Sequence, residues 1–322
     1  MVSDIGVVTP FWLDRPDTEA VGIAIEAERN GFGTLWLGEM ATYDAFALAT
    51  AVGLRTERIG LRIGPLPISV RTPVSVALGV SSVADLARPV TGIGLGGSSP
   101  FIVSGWHDRE WRHAAGRMRE AVSTLRSILD GGRSDFAGEH VRSKGFRLRR
   151  PLPGLPITVA AFGPAMTRVA AEVADEVVLN LVSPEHVASV RKIVDAHAAS
   201  VGRPPPRLAV WIPVALDPGP ATLRQAAAQT AVYLSPPGYG EMFSALGYSS
   251  LVERARAGES RKDLAADIPA SLIGAVGAVG SRTDVLSRIA EFHAAGADHV
   301  GIVPPTAEDP CGARLLAQLG RR

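Results

Sequence analysis

The residues best placed to do chemistry sit in short Gly- and Pro-rich segments that each follow an apolar run. Ala161-Phe162-Gly163-Pro164 leads from one such run straight into a helical pattern. Free backbone N–H groups at a helix N-terminus favour an anion. Gly163 removes side-chain bulk, and Pro164 suits a first helical turn. A phosphate could therefore sit on the amides of Gly163, Ala165 and Met166, with Arg168 one turn further on; an ordinary proline-started helix fits the same residues. The second unusual place is Gly64-Pro65-Leu66-Pro67, which is not expected to continue a regular ladder. X-Pro bonds are the ones that adopt cis at tolerable cost, so a bulge that presses on a bound flat ligand is one reading and a trans loop the other.

Other ends of apolar runs supply Pro10-Phe11-Trp12, Gly38-Glu39-Met40 and Gly96-Gly97-Ser98. Together these suit a flat, largely apolar ligand with a few polar contacts. The run Gly92-Ile93-Gly94-Leu95-Gly96-Gly97 formally matches a dinucleotide fingerprint, but it lies late in a continuing series of strands. No helix start is expected at 98–105, and no acidic residue follows in a second strand at the required spacing. For Gly92 and Gly94, tight strand packing and the close approach of a planar ligand are both open; Gly96 and Gly97, at the strand end, favour the ligand.

Several chemistries are disfavoured. Lys144, Lys192 and Lys262 are the only lysines, and all are expected on loops or helices, which argues against a Schiff base. The seven histidines are scattered, and His299 opens a strand rather than ending one, so no metal site is expected. His107 and His113 read as surface or capping residues. A formal charge of +1 and the lack of a basic stripe point away from nucleic acid and membrane surfaces; Arg147, Arg149 and Arg150 read as a solvated turn. The single cysteine, Cys311, fits a reducing compartment. Met1-Val2-Ser3-Asp4 has no signal-peptide character, and no apolar run is long enough to span a membrane, so a cytoplasmic protein is expected.

The elements that must position these residues alternate. Strands are expected at 5–8, 34–37, 59–64, 90–95, 156–161, 176–181, 208–216 and 299–303. Helices are expected at 17–30, 44–55, 74–87, 165–174, 184–200 and 311–319. Another carries the apolar stripe Met118, Val122, Leu125 and Leu129, and a further one starts at a Ser281/Asp284 capping box and runs to about Ala294. Residues 133–155 break the rhythm as a hairpin or loop, and 217–280 read as a mainly helical insertion. Eight strand–helix units in 322 residues, 46% of them hydrophobic, predict an α/β fold: a single (βα)8 TIM barrel domain over 1–322 with these two insertions. Active sites of such barrels lie at the C-terminal ends of the strands, where the segments above fall.

The chain resembles the luciferase-like monooxygenase superfamily, and within it the oxidoreductases that use the deazaflavin coenzyme F420. The carriers are Ala27-Glu28-Arg29-Asn30-Gly31-Phe32-Gly33-Thr34-Leu35-Trp36-Leu37-Gly38-Glu39, Thr56-Glu57-Arg58-Ile59-Gly60-Leu61-Arg62-Ile63-Gly64, the Arg71-Thr72-Pro73 helix entry, Gly92-Ile93-Gly94-Leu95-Gly96, Ala174-Asp175-Glu176-Val177-Val178 and Ala294-Ala295-Gly296-Ala297-Asp298-His299-Val300. Their order and spacing, over nearly the whole chain, make the resemblance specific.

The resemblance implies a cis-peptide bulge at Gly64-Pro65 under the cofactor ring and a phosphate site at 162–166. It also implies an acidic residue, Glu39, facing the ring. Many relatives carry a histidine just after that position, where this chain has Met40, which counts against a histidine base for sugar-phosphate or alcohol oxidation. Hydride would pass between the ring and a small organic substrate walled by Trp12, Trp106 and Trp111 or by the 217–280 insertion, with Glu39 relaying a proton or positioning the substrate. The alternatives are an FMN-dependent monooxygenase of the same fold and a catalytically idle flavin-binding barrel. Relatives commonly dimerise through barrel helices, so a homodimer is expected.

Overall fold

A computed structural model describes residues 4–11, 14–16, 18–39, 41 and 43–320. The strands are β1 (Ile5–Val8), β2 (Thr34–Leu37), β3 (Gly60–Pro67), β4 (Val90–Gly96), β5 (Arg133–Ala137), β6 (Arg142–Arg147), β7 (Ile157–Ala160), β8 (Glu176–Asn180), β9 (Arg207–Leu216), β10 (Ala278–Gly280) and β11 (His299–Val303). The first helices are α1 (Glu19–Arg29), α2 (Ala45–Gly53), α3 (Pro73–Leu86), α4 (Ala114–Leu129), α5 (Pro164–Val173) and α6 (Pro184–Ser200). There follow α7 (Pro220–Val232), α8 (Tyr239–Phe243), α9 (Ser249–Arg256), α10 (Arg261–Asp267), α11 (Ala270–Val276), α12 (Arg282–Ala294) and α13 (Ala313–Leu319).

The main sheet runs β10-β9-β11-β1-β2-β3-β4-β7-β8, and β9 also pairs with β8; the fold is a (βα)8 barrel with extra elements. Contacts divide the chain into two compact units, Met1–Leu35 with Leu179–Arg191 and Leu208–Arg322, and Trp36–Val178 with Lys192–Arg207.

In the unit built on 36–178, β3, β4 and β7 pair in parallel. Asp44 caps α2 by accepting from the Phe46 and Ala47 N–H groups at 2.9 and 3.0 Å. Thr72 caps α3 by accepting from the Ser75 N–H at 3.1 Å, with Pro73 in the first turn. The α4 stripe Met118, Val122, Leu125 and Leu129 is buried, as its period predicts.

Within 133–155, expected as a hairpin or loop, residues 133–147 form a hairpin, β5 against β6. Its turn is tied to α4 by the Glu120 carboxylate, which accepts from the N–H groups of Glu139, His140 and Val141 at 3.0, 2.8 and 2.7 Å. Lys144 thus lies on a strand, not a loop, though outside the barrel sheet.

Two expectations need correction here. Strand β3 does not stop at Gly64: its register with β4 runs Ile63↔Ile93, then Leu66↔Leu95 and Pro67↔Gly96. Gly64 and Pro65 bulge out, and the ladder resumes beyond them because the missing proline N–H falls inside the bulge. In 98–105, where no helix start is expected, the chain enters a π-helical turn over 101–106, and the Ser99 carbonyl accepts from the Val103 N–H at 2.9 Å.

In the other unit, β11 pairs in parallel with β1 and β9, and β10 extends the C-terminal end of β9 (Ala278↔Val214, Gly280↔Leu216). The stretch read as a helical insertion over 217–280 contains α7 to α11 but ends in β10, too short for its alternation to show in the sequence. The Ser281/Asp284 capping box is formed at the start of α12. His299 is buried beside Asp4, 3.1 Å from its carboxylate, and opens β11 as expected.

Candidate cofactor-binding site

The candidate site is built from residues of the 36–178 unit, beginning with the bulge. The Gly64–Pro65 bond is cis, and Gly64 has φ +122°. A Cβ on Gly64 would strike the Gly94 carbonyl oxygen, and one on Gly94 would lie 3.3 Å from the Gly64 carbonyl carbon and the Pro65 nitrogen. A Cβ on Gly96 would lie 3.2 Å from Pro65 Cβ. Gly94 and Gly96 are therefore small because the bulge presses on them. Gly92 instead faces the Arg62 side chain, which pairs with buried Glu176 and lies 4.9 Å over the Trp36 ring.

At the end of β7 the chain passes through Phe162 and Gly163 into α5. Gly163 has φ +81° and ψ 157°, a region open essentially to glycine alone. A Cβ built there would meet nothing within 4 Å. The carbonyl of Gly163 accepts from the Thr167 N–H at 3.1 Å and from its hydroxyl at 2.9 Å. Pro164 has no N–H, and those of Ala165 and Met166 belong to the first turn, which has no helical acceptor. Two amides thus stand at a glycine with open space above it, which fits a phosphate; Arg168, one turn on, is exposed.

Gly97 links this loop to the segment after β4. Its Cβ position lies 3.6 Å from Met166 Cε and 3.7 Å from Ala114 Cβ, and its carbonyl accepts from Trp111 Nε1 at 3.0 Å. Ser98 is exposed with φ +56°. Trp111 is half-buried by this bond, whereas Trp106 is 47% exposed and packs edge-on against Phe101 with ring centroids 5.5 Å apart. Trp12 lies outside the described residues, as does Met40.

Glu39 follows β2, mostly buried. Arg71 grips it with two nitrogens, Nε donating to Oε1 at 2.9 Å and Nη2 to Oε2, and the Ala45 N–H donates to Oε2 at 3.2 Å. Arg71 also pairs with Asp44 and lies 5.1 Å over the Phe46 ring. Hydrogen bonding to Glu39 raises the affinity of Arg71 for its proton. Burial acts against the Asp44 charge, but the Ala47 N–H and Arg71 outweigh it and hold the carboxyl below its ordinary range. Arg71 had shown itself in the sequence only as part of a helix entry, and Asp44 only as the first residue of the helix expected at 44–55. Nothing local signals a pairing across 27 and 32 residues.

In the other unit a polar group at a strand end also escaped sequence reasoning. Asn180, last in β8, donates from Nδ2 to the Tyr239 hydroxyl at 3.4 Å, and the Tyr233 and Tyr239 rings lie 4.9 Å apart. Burial raises both phenols, so they remain protonated donors. Among the described residues no group of His, Cys, Asp or Glu could hold a metal ion.

A family model described as luciferase-like monooxygenase matches residues 7–299. A Mycobacterium tuberculosis protein named as a coenzyme F420-dependent oxidoreductase is 25% identical over 94% of this chain and 96% of its own length. The 5,10-methylenetetrahydromethanopterin reductase of Archaeoglobus fulgidus is 30% identical over 55% of this chain, which spans about half (53%) of that relative. The solved structure of the coenzyme F420-dependent tetrahydromethanopterin reductase from Methanopyrus kandleri superposes with a TM-score of 0.82 at 20% identity, covering 99% of this chain and 98% of that one. That likeness shows the fold.

Proposed function

The chain belongs to the luciferase-like monooxygenase family, and from that premise we propose that it is an oxidoreductase that binds coenzyme F420 and exchanges hydride with a small organic substrate. The observation that carries the reading is the cradle at Gly163: open space over a positive-φ glycine, with the amides of Ala165 and Met166 beside it. Gly64 and Pro65, with Gly96, Gly97 and Ser98, would line the ring and ribityl part, and Phe162 to Met166 the phosphate.

When bound, the deazaflavin supplies the hydride chemistry. The chain's own part is to orient and to handle a proton. Glu39, held by Arg71 and the Ala45 N–H, is a carboxylate at a fixed position beyond β2, suited to orient a substrate donor or take its proton. Trp12, Trp106 and Trp111 would wall the substrate. The name of the Mycobacterium tuberculosis relative favours F420 over FMN. Binding titrations with F420 and with FMN test this: F420 saturating at lower concentration is expected, and tighter FMN binding reverses the assignment.

The whole of 1–322 is taken as one barrel domain. Exposed Leu54, Leu78 and Leu86, at 66%, 48% and 67%, support a homodimer through helical surface of the 36–178 unit. Light scattering that gives a monomer mass at micromolar concentration would remove it. A cytoplasmic location is supported by the free Cys311, and no described helix is long and apolar enough to cross a membrane.

A further inference from the structure

Asn180 closes β8, at the end of the strand where barrels carry their chemistry, and the site above does not use it. The next residue, Leu181, is buried with φ +51°, a left-handed backbone that leucine rarely adopts. Its N–H donates to the Trp211 carbonyl of β9 at 3.0 Å, so the neighbouring strand fixes the chain just past Asn180. Backbones of this kind cluster at ligand sites, where the surroundings hold them in place.

Two tyrosines of the same compact unit meet this amide. Tyr233 directly follows α7 and Tyr239 opens α8, with ring centroids 4.9 Å apart. Asn180 Nδ2 donates to the Tyr239 hydroxyl at 3.4 Å, and the amide also acts on the Tyr233 phenol. All three residues are half-buried. A primary amide has two N–H donors and a carbonyl acceptor. Beyond the two phenols, the Asn180 side chain has no hydrogen-bond partner among the described residues. The 3.4 Å bond is long for its kind, so the amide keeps a donor and an acceptor for a ligand.

The surrounding segments lack positive charge. Stretches 179–185, 212–219 and 300–307 hold the C-terminal ends of β8, β9 and β11, and 230–243 links α7 to α8; none contains Lys, Arg or His. The described cations that approach them are engaged. Arg256 packs on Gly240 and pairs with Glu241, and Arg314 donates to the Leu216 carbonyl at 3.4 Å. Arg15, beyond β1, is held by Glu19 through two hydrogen bonds of 3.1 and 2.9 Å. A phosphate or carboxylate brought to Asn180 would lose water without gaining a cation. A neutral oxygen needs only an N–H or O–H donor.

We propose that Asn180, supported by Tyr239 and Tyr233, anchors the substrate oxygen, and that the substrate is a neutral carbonyl compound or the corresponding alcohol, not a phosphate ester or a carboxylate. This deepens the oxidoreductase reading above and rests on it. In the reducing direction the carbonyl carbon gains a hydride from the reduced coenzyme, the C=O π pair moves to oxygen, and that oxygen takes up one proton drawn from water to give the alcohol. Hydrogen bonds from the amide strengthen as charge builds on the oxygen, so the anchor favours the reacting state over the bound ketone.

The test is ligand-observed NMR on the full chain loaded with cofactor. The probes are three neutral ketones of increasing size, acetone, cyclohexanone and acetophenone, with cyclohexanecarboxylate and glucose 6-phosphate as charged counterparts. At least one ketone should bind, and neither anion should compete with it. Asn180→Ala should weaken that ketone about five- to tenfold, the range for one lost hydrogen bond. Asn180→Asp keeps the shape but removes the N–H donors, and should weaken it at least as much. Both variants should keep cofactor affinity within about twofold and melt within a few degrees of the parent, since Asn180 is half-buried and its one listed bond is long. Tyr239→Phe should weaken the ketone less. No ketone binding by the parent, tighter binding of either anion, or ketone affinity unchanged in both Asn180 variants overturns the proposal. Tighter binding of FMN than of F420 overturns the cofactor reading alone, because the ketone comparison reads ligand signals and is scored with either cofactor in place.

Discussion

Gly64 and Gly94 face each other across β3 and β4 so closely that a Cβ on Gly64 would strike the Gly94 carbonyl oxygen. The glycine spacing of β4 is thus complementary to the bulge on β3. Gly64→Ala should lower stability by about 2 kcal/mol or more, because it adds a backbone clash at φ +122°. Gly94→Ala, with contacts at 3.3 Å, should cost less, about 1 kcal/mol. Thermal or urea unfolding checks the order; equal midpoints for both variants and the parent would refute the complementarity.

Gly163 is the reverse case, with nothing within 4 Å of its Cβ position. Gly163→Leu should fill the phosphate position and weaken cofactor binding by roughly 2 kcal/mol or more, comparable to losing charge-assisted hydrogen bonds. Its φ of +81° adds a stability loss of about 1–2 kcal/mol. Titration and a melting curve on one sample separate the two effects. Parent-like cofactor affinity in a folded variant would take this loop out of the site. Arg168→Ala should weaken binding less and reduce its salt sensitivity.

Glu39 and Arg71 form a forked pair with the side chains 14% and 19% exposed. Arg71→Met leaves Glu39 and Asp44 without their shared cation and should destabilise the fold by roughly 2 kcal/mol, the range for hydrogen bonds to charged groups. Glu39→Gln should keep cofactor affinity within a few fold but cut turnover on the order of 10²-fold, the lower range for losing acid–base help. Unchanged turnover on an identified substrate would make Glu39 a structural residue.

Glu120 loses some hydration on folding, which works against its charge, but the His140, Val141 and Glu139 N–H groups hold its carboxyl below the ordinary range. A carboxyl depressed in the folded state contributes stability above its unfolded value and loses that contribution as pH falls through the folded one. The parent should therefore lose part of its stability below about pH 4.5, where free glutamate is about half protonated. Glu120→Gln should flatten that acid limb and speed amide exchange at 139–141. The same limb in both proteins would show that the hairpin turn does not depend on this carboxylate.

Local chemistry was readable from the chain. The apolar stripe of α4, the Ser281/Asp284 box, the proline-started α5 and the break in the alternation at 133–155 follow from residue types within a few positions of one another. At Gly64–Pro65 the residues alone left cis and trans both open, and it was the resemblance that pointed to the cis bond.

What the sequence could not decide is which residues meet across elements. Arg71 reaches Glu39 over 32 positions, Trp111 donates to the Gly97 carbonyl, and Gly94 packs against Pro65 with only 3.3 Å to spare for a Cβ. Each depends on strand register and on where a helix packs, and a one-residue slip would turn every such side chain to the other face. The continuation of β3 past its proline and the three residues of β10 were hidden for the same reason: pairing with a neighbouring strand makes them strands, and the neighbour is set only when the sheet is assembled.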